Sequence, residues 1–256
     1  MQKYFKVVGH RGMPSLYPEN TLISFKKAIE AGVDAIEFDV HLTRDLKMVV
    51  THDNNIERCS NSKGLVKDFT FDEIRALDFG GWKSPEFRNM QIPTLNETLD
   101  TILAHCRPDF QILIELKEDS ETCTRMLLKE LRNRRIVDRC VVLSFYANQL
   151  ELLHKLEPAL RLHGFRMEDF KRPVPHAYEF LMRLCIWRDA LTHAEIKTFH
   201  EMNIQVDACP VDNAEHLDQI IEFDVDTVTT NAADVLMPLL RERGLRRPES
   251  PEHISA

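Results

Sequence analysis

Short apolar, β-branched runs recur at residues 5–9, 35–40, 48–51, 112–116, 140–145, 160–165, 184–187, 204–209 and 225–229. Amphipathic stretches at helical spacing lie between most of them. In 21–31, Leu22, Phe25, Ala28 and Ile29 share one helical face, and Gly32 sits where a C-terminal cap is wanted. Thr94 and Glu97 form a capping box ahead of Leu99, Ile102 and Leu103. The same spacing predicts helices over 120–133, 147–156, 192–202 and 213–222. Strands alternating with helices predict βαβ units and a parallel sheet.

Nine runs are one too many for an eightfold barrel, and chain geometry removes one. Only 41–47 separates Val40 from Met48, whereas a parallel crossover needs about a dozen residues. Residues 48–51 must therefore turn back near Arg44-Asp45 as a hairpin partner. The predicted fold is α/β: a (β/α)8 TIM barrel with a small insertion after the second strand and its hairpin return. That insertion, 53–92, is rich in turn residues (Asn54, Asn55, Asn61, Ser62, Gly64, Gly80, Gly81), with a short helix expected near 71–77. A structureless loop of this length is unusual in a compact domain, so it reads as a small folded piece over one barrel mouth. The whole chain, 1–256, reads as one barrel domain with a Pro-rich tail, 246–256, expected to be frayed.

A chain of 256 residues, 43% hydrophobic and 29% charged, suits this reading and excludes wholesale disorder. No apolar run approaches the roughly 20 residues that span a bilayer, and the opening MQKYFKVVGHRG has no secretory apolar region. We expect no membrane span and a cytoplasmic location. The net charge of −8 argues against nucleic acid, whose phosphates are held by surplus Lys and Arg. The six cysteines form no C-x-x-C pair and read as reduced packing residues.

Polar residues gather where the predicted strands end, which is where barrels keep their active sites. The first strand delivers His10-Arg11, the second Glu37 and Asp39, the return strand His52-Asp53, and the next parallel strand Glu115 and Lys117. The period of two in Glu37-x-Asp39 puts both carboxylates on one face. With Glu115 they make a hard-oxygen site suited to Mg²⁺ or Ca²⁺. His10 and His52 exchange protons near neutral pH, while Arg11 and Lys117 suit phosphate oxygens. Together these groups describe phosphoryl transfer or phosphodiester cleavage.

His10-Arg11-Gly12, Pro18-Glu19-Asn20-Thr21, Glu37-Phe38-Asp39-Val40, Thr43-Arg44-Asp45, His52-Asp53 and Ile114-Glu115-Leu116-Lys117 resemble the glycerophosphodiester phosphodiesterase family. So do Gly80-Gly81-Trp82, Ile92-Pro93-Thr94-Leu95 with Glu97, and more weakly Leu143-Ser144-Phe145 and 226–230. The resemblance implies a (β/α)8 barrel that hydrolyses a small-molecule phosphodiester, such as glycerophosphocholine, to sn-glycerol 3-phosphate and an alcohol. It implies Glu37, Asp39 and Glu115 as ligands of a divalent cation, Mg²⁺ or Ca²⁺. His10 and His52 become a general acid/base pair, its two roles left open, and Arg11 and Lys117 phosphate-binding residues. Glu19 is expected to anchor the loop after the first strand. A related reading keeps barrel and metal but takes a lysophospholipid or another phosphodiester, with Phe79, Trp82 and Phe87 lining an apolar groove.

The chain also departs from the family pattern. Ala208-Cys209-Pro210-Val211-Asp212 stands where many members carry Trp-x-Val-Asn, and Thr230-Asn231 where the last strand often ends Thr-Asp. Neither departure falls on a proposed metal or histidine position, and both are expected to line the rim. His41 is expected to turn outward to the surface, and His163, near a strand end, to be structural.

Overall fold

The computed structural model describes residues 4–246. Eight parallel strands close on themselves: β1 (Lys6–His10), β2 (Ala35–Leu42), β4 (Gln111–Leu116), β5 (Cys140–Leu143), β6 (Arg161–Phe165), β7 (Arg183–Trp187), β8 (Gln205–Cys209) and β9 (Thr227–Thr230). The closing pairs are β1 with β9 and β1 with β2. β3 (Met48–Val50) runs antiparallel to β2, with His41 opposite Val49, so the short connection forced the hairpin as expected. It reverses through Arg44-Asp45 and Leu46, whose φ is 60°.

Helices α1 (Leu22–Ala31), α3 (Leu95–His105), α4 (Glu121–Arg134), α5 (Ala147–Leu156), α6 (His193–Glu201), α7 (Ala214–Ile220) and α8 (Ala233–Glu242) cover the barrel. Thr21 accepts from Ser24 N and Gly32 takes a left-handed φ of 93°, the two caps that bound α1. The Thr94–Glu97 capping box opens α3. α8 is not among the expected helices; Pro238 within it obscures a buried face of Ala233, Leu236, Met237 and Leu240. Between β6 and β7 only short 3₁₀ turns occur, at Met167–Asp169 and Ala177–Glu179, because Pro173 and Pro175 deny the segment a helix.

Residues 53–92 carry α2 (Phe71–Arg75) and pack Ile56, Cys59, Val66, Ile74, Phe79 and Ile92 into a cluster of their own with Val49. Five of the six cysteines are buried, Cys106 is half-buried, and all six are free thiols. No helix among the described residues is long and apolar enough to cross a membrane.

The expected frayed tail falls on 247–256, outside the described residues, except at Arg246, where the expectation is corrected. Arg246 Nη2 donates to Gly32 O and to Asp34 Oδ1, each at 2.8 Å. Asp34 also accepts from Val7 N at 2.8 Å and pairs with Arg107, so one carboxylate clamps the barrel end opposite the strand C-termini. Burial alone would raise the Asp34 pKa, but its bonds to Arg246, Val7 and Arg107 hold it below the usual range. Asp34→Asn should therefore cost about 2 kcal/mol in urea unfolding at pH 7, with catalysis untouched. A depressed carboxylate stabilises above its unfolded pKa, so the deficit should narrow below about pH 4.

Candidate active site

The strand C-termini bring every sequence-predicted site residue to one mouth. β2 is buried along all eight residues, yet its inward face carries Glu37 and Asp39. With Glu115 of β4, these offer ligand oxygens that all lie within 4.8 Å of one another. Glu37, Glu115 and Lys117 also line a cavity of about 180 Å³ together with His10, Arg11, His52 and Asn231.

The loop after β1 is bent to serve this cluster. Arg11 takes a left-handed φ of 54°, and its N–H donates to Glu37 O at 2.9 Å and Glu37 Oε2 at 3.1 Å. Its guanidinium reaches Asp39 Oδ2 at 3.4 Å and Glu19 Oε1 at 3.0 Å. Gly12 follows at φ 90°, where a Cβ would lie 2.3 Å from Ser24 Oγ; only glycine lets the loop close onto α1. Asn20, itself at φ 57°, donates to Asp39 Oδ2 at 2.7 Å and accepts from Asp39 N at 3.3 Å.

Desolvating three carboxylates side by side is costly unless cations or protons compensate. Lys117 Nζ supplies part of the compensation, at 2.7 Å from Glu115 and 3.1 Å from Asp39. Burial would raise the Asp39 pKa, but Lys117 and then Arg11 hold it well below the usual carboxylate range. Glu37 goes the other way, raised by burial and by the charges of Asp39 and Glu115. Glu115 is raised as well, by burial against the pull of Lys117. Glu37 Oε1 is buried with no hydrogen-bond donor, an acceptor suited to a cation.

The two histidines differ in their partners. His52 Nδ1 lies 2.7 Å from Asp53 Oδ1, and Arg58 donates to Asp53 at 2.6 Å. His10 Nε2 is 3.9 Å from Glu37, while its Nδ1 meets the neutral Asn231 Oδ1 at 2.7 Å. Burial and then Arg11 push His10 down to about 4, and burial lowers His52. Glu19 receives both Arg58 donors at 2.7 and 2.8 Å besides Arg11, so it ties the first loop to the insertion.

Asn231 lines the cavity, and it also bonds His10 directly, because β9 ends beside β1 in the closed barrel. Two expectations need correction. His41 is buried rather than outward: it shares a pocket with Asn54, Leu65, Val66 and Lys67 of the insertion, its Nε2 meets His52 O at 3.1 Å, and Glu118 lies 3.4 Å from Nδ1. Phe79 and Phe87 are buried in the insertion and Trp82 is outside the cavity. The cavity's aromatic wall comes from Phe145 and Phe165, stacked with centroids 3.7 Å apart, and from Trp187. His163 lines the same cavity, with both ring nitrogens buried and unpartnered.

Residues 10–235 match the model of the glycerophosphoryl diester phosphodiesterase family. A glycerophosphodiester phosphodiesterase of Caldanaerobacter subterraneus subsp. tengcongensis is 30% identical over 93% of this chain and 98% of its own. One of Bacillus altitudinis is 37% identical over 66% of this chain and 69% of its own. Among solved structures, a glycerophosphodiester phosphodiesterase from Agrobacterium tumefaciens superposes with TM-score 0.78 at 23% identity, covering 93% of this chain and all (100%) of that one. An Oleispira antarctica phosphodiesterase in complex with the product sn-glycerol-3-phosphate superposes with TM-score 0.76 at 21% identity, covering 91% and 96%.

The charge balance makes Lys117 a stability residue as well as a site residue. Lys117→Met should lower unfolding free energy by about 3 kcal/mol in urea with EDTA at pH 7, since it strands buried carboxylates. The deficit should shrink as pH falls and the carboxylates take up protons.

Proposed function

This chain belongs to the glycerophosphoryl diester phosphodiesterase family, and from that premise we propose how its own residues cleave a glycerophosphodiester to sn-glycerol 3-phosphate and an alcohol. The observation that carries the reading is a cluster of three buried carboxylates, two of which, Glu37 and Glu115, line one cavity with two histidines and two cations. Glu37, Asp39 and Glu115 would hold a divalent cation, Mg²⁺ or Ca²⁺; their all-oxygen donor set and the unpartnered Glu37 Oε1 fit such an ion. Bound there, the cation would supply Lewis-acid stabilisation of phosphate oxygens.

Arg11 and Lys117 face the same space and orient the phosphate, Arg11 as a planar fork and Lys117 as a point charge. His10 and His52 serve as the general acid/base pair, one taking a proton from the attacking water or substrate hydroxyl and the other giving one to the leaving alcohol; where the hydroxyl attacks, water then opens the cyclic phosphate to sn-glycerol 3-phosphate. The aromatic wall of Phe145, Phe165 and Trp187 faces the organic part of the substrate. That wall favours a second reading, the same cleavage of a lysophospholipid. Its acyl chain would have to leave the 180 Å³ cavity along Trp187, which is 44% exposed. A location in the cytoplasm fits six free thiols.

Glycerol 3-phosphate release from glycerophosphocholine and glycerophosphoethanolamine tests the proposal. EDTA should abolish turnover, and Mg²⁺ or Ca²⁺ should restore it. His10→Ala and Glu37→Ala should each lower kcat by about 100- to 10,000-fold with the fold retained. Turnover confined to lysophospholipids would favour the second reading; full activity in EDTA would remove the cation from the mechanism.

A further inference from the structure

We infer that Asp212, acting through Asn231, holds His10 as the tautomer protonated at Nδ1, so that the Nε2 lone pair faces the catalytic cavity. Asp212 and Asn231 are thus positioning residues for His10, an inference that rests on the proposed proton-carrying role of that histidine.

The ends of two adjacent strands build the device. Val211, just past β8, donates its N–H to Thr229 O at 2.9 Å, which seats Asp212 beside the end of β9. Asp212 Oδ1 accepts from Asn231 N at 2.6 Å and from Thr230 Oγ1 at 3.1 Å. Asp212 Oδ2 lies 2.9 Å from Asn231 Nδ2. On its other side, Asn231 O accepts from Ser15 N at 3.0 Å, so the backbone of Asn231 is held from both directions.

An ionised carboxylate only accepts, so the Asn231 atom facing Asp212 must be the amide nitrogen. The amide oxygen is then turned to His10 Nδ1, 2.7 Å away. An amide oxygen also only accepts, so Nδ1 must carry the hydrogen. A neutral imidazole has one N–H, which leaves Nε2 bare and open to the cavity. The opposite tautomer would set the Nδ1 lone pair against the Asn231 oxygen and leave a half-buried acceptor pair without a proton.

The consequence for the reaction is direct. As the oxygen of the attacking water or substrate hydroxyl bonds phosphorus, its proton passes to His10 Nε2. The P–O bond to the alcohol breaks, and that oxygen takes a proton from the second histidine. Nδ1–H stays on Asn231 throughout. The amide relays the orientation set by Asp212 without moving a proton itself.

An exchange of the two side chains tests this with four proteins: native, Asp212→Asn, Asn231→Asp, and the double exchange. Two-bond ¹H–¹⁵N spectra of the histidine rings report the tautomer without substrate, and kcat and KM on glycerophosphocholine report catalysis. The native ring of His10 should appear as the Nδ1–H form. Asp212→Asn frees the Asn231 amide to turn over; His10 should become a tautomer mixture, with kcat down about 10- to 100-fold and KM within about twofold. Asn231→Asp sets two carboxylates together and should also lose kcat. The double exchange restores an acceptor at His10 and a donor behind it, and should recover the Nδ1–H form and kcat to within about fivefold, since the pair couples directly. A native Nε2–H tautomer, or an Asp212→Asn protein with unchanged tautomer and kcat, would overturn the inference. Absence of glycerophosphodiester turnover in the native protein would sink the proposed function instead, and the spectra would still decide the tautomer.

Discussion

The structure turns on the desolvation of three carboxylates at the mouth of the barrel. Closing eight strands into a ring places the inward face of β2 and β4 in a dry interior, and that face carries Glu37, Asp39 and Glu115. Their mutual repulsion is offset by Lys117 between Glu115 and Asp39, by Arg11 on Asp39, and by the amide of Asn20. What remains is an electron-rich corner in which Glu37 holds a raised pKa and an unpartnered oxygen. The oxygens left over after Lys117, Arg11 and Asn20 are placed suit the divalent cation proposed for this corner.

That requirement propagates outward. Arg11 and Asn20 reach the cluster only because the intervening loop accepts left-handed backbone at both, with Gly12 pressed against Ser24. Glu19 then binds both Arg11 and Arg58, and Arg58 binds Asp53, which orients His52. The insertion is therefore connected electrostatically to the first loop of the barrel, and its own apolar cluster keeps it folded while its charged rim serves the mouth. The two histidines end up with unlike supports, a carboxylate behind His52 and an amide behind His10.

The local physics of the sequence told a good deal. The seven-residue gap before Met48 allowed only a hairpin, and the Thr94–Glu97 box opened α3 where it stood. Alternation in Glu37-x-Asp39 and Glu115-x-Lys117 needs no tertiary knowledge to place each pair on one face. Where a proline interrupted the period, as in α8, the pattern no longer announced the helix. The connection after β6, which holds Pro173 and Pro175, lacks an α-helix.

By itself, then, the sequence determined the strand and helix alternation, the hairpin, and which side chains stand at strand ends, because these depend on near neighbours along the chain. Only the tertiary structure decided that Asn231 meets His10 across the β1–β9 seam, 221 residues apart, and that Asp212 stands behind it. It likewise buried His41 against the insertion and drew the aromatic wall from the barrel rather than from the insertion. Such contacts arise from ring closure and cross-strand register, which place distant residues side by side and leave no period in the sequence to read.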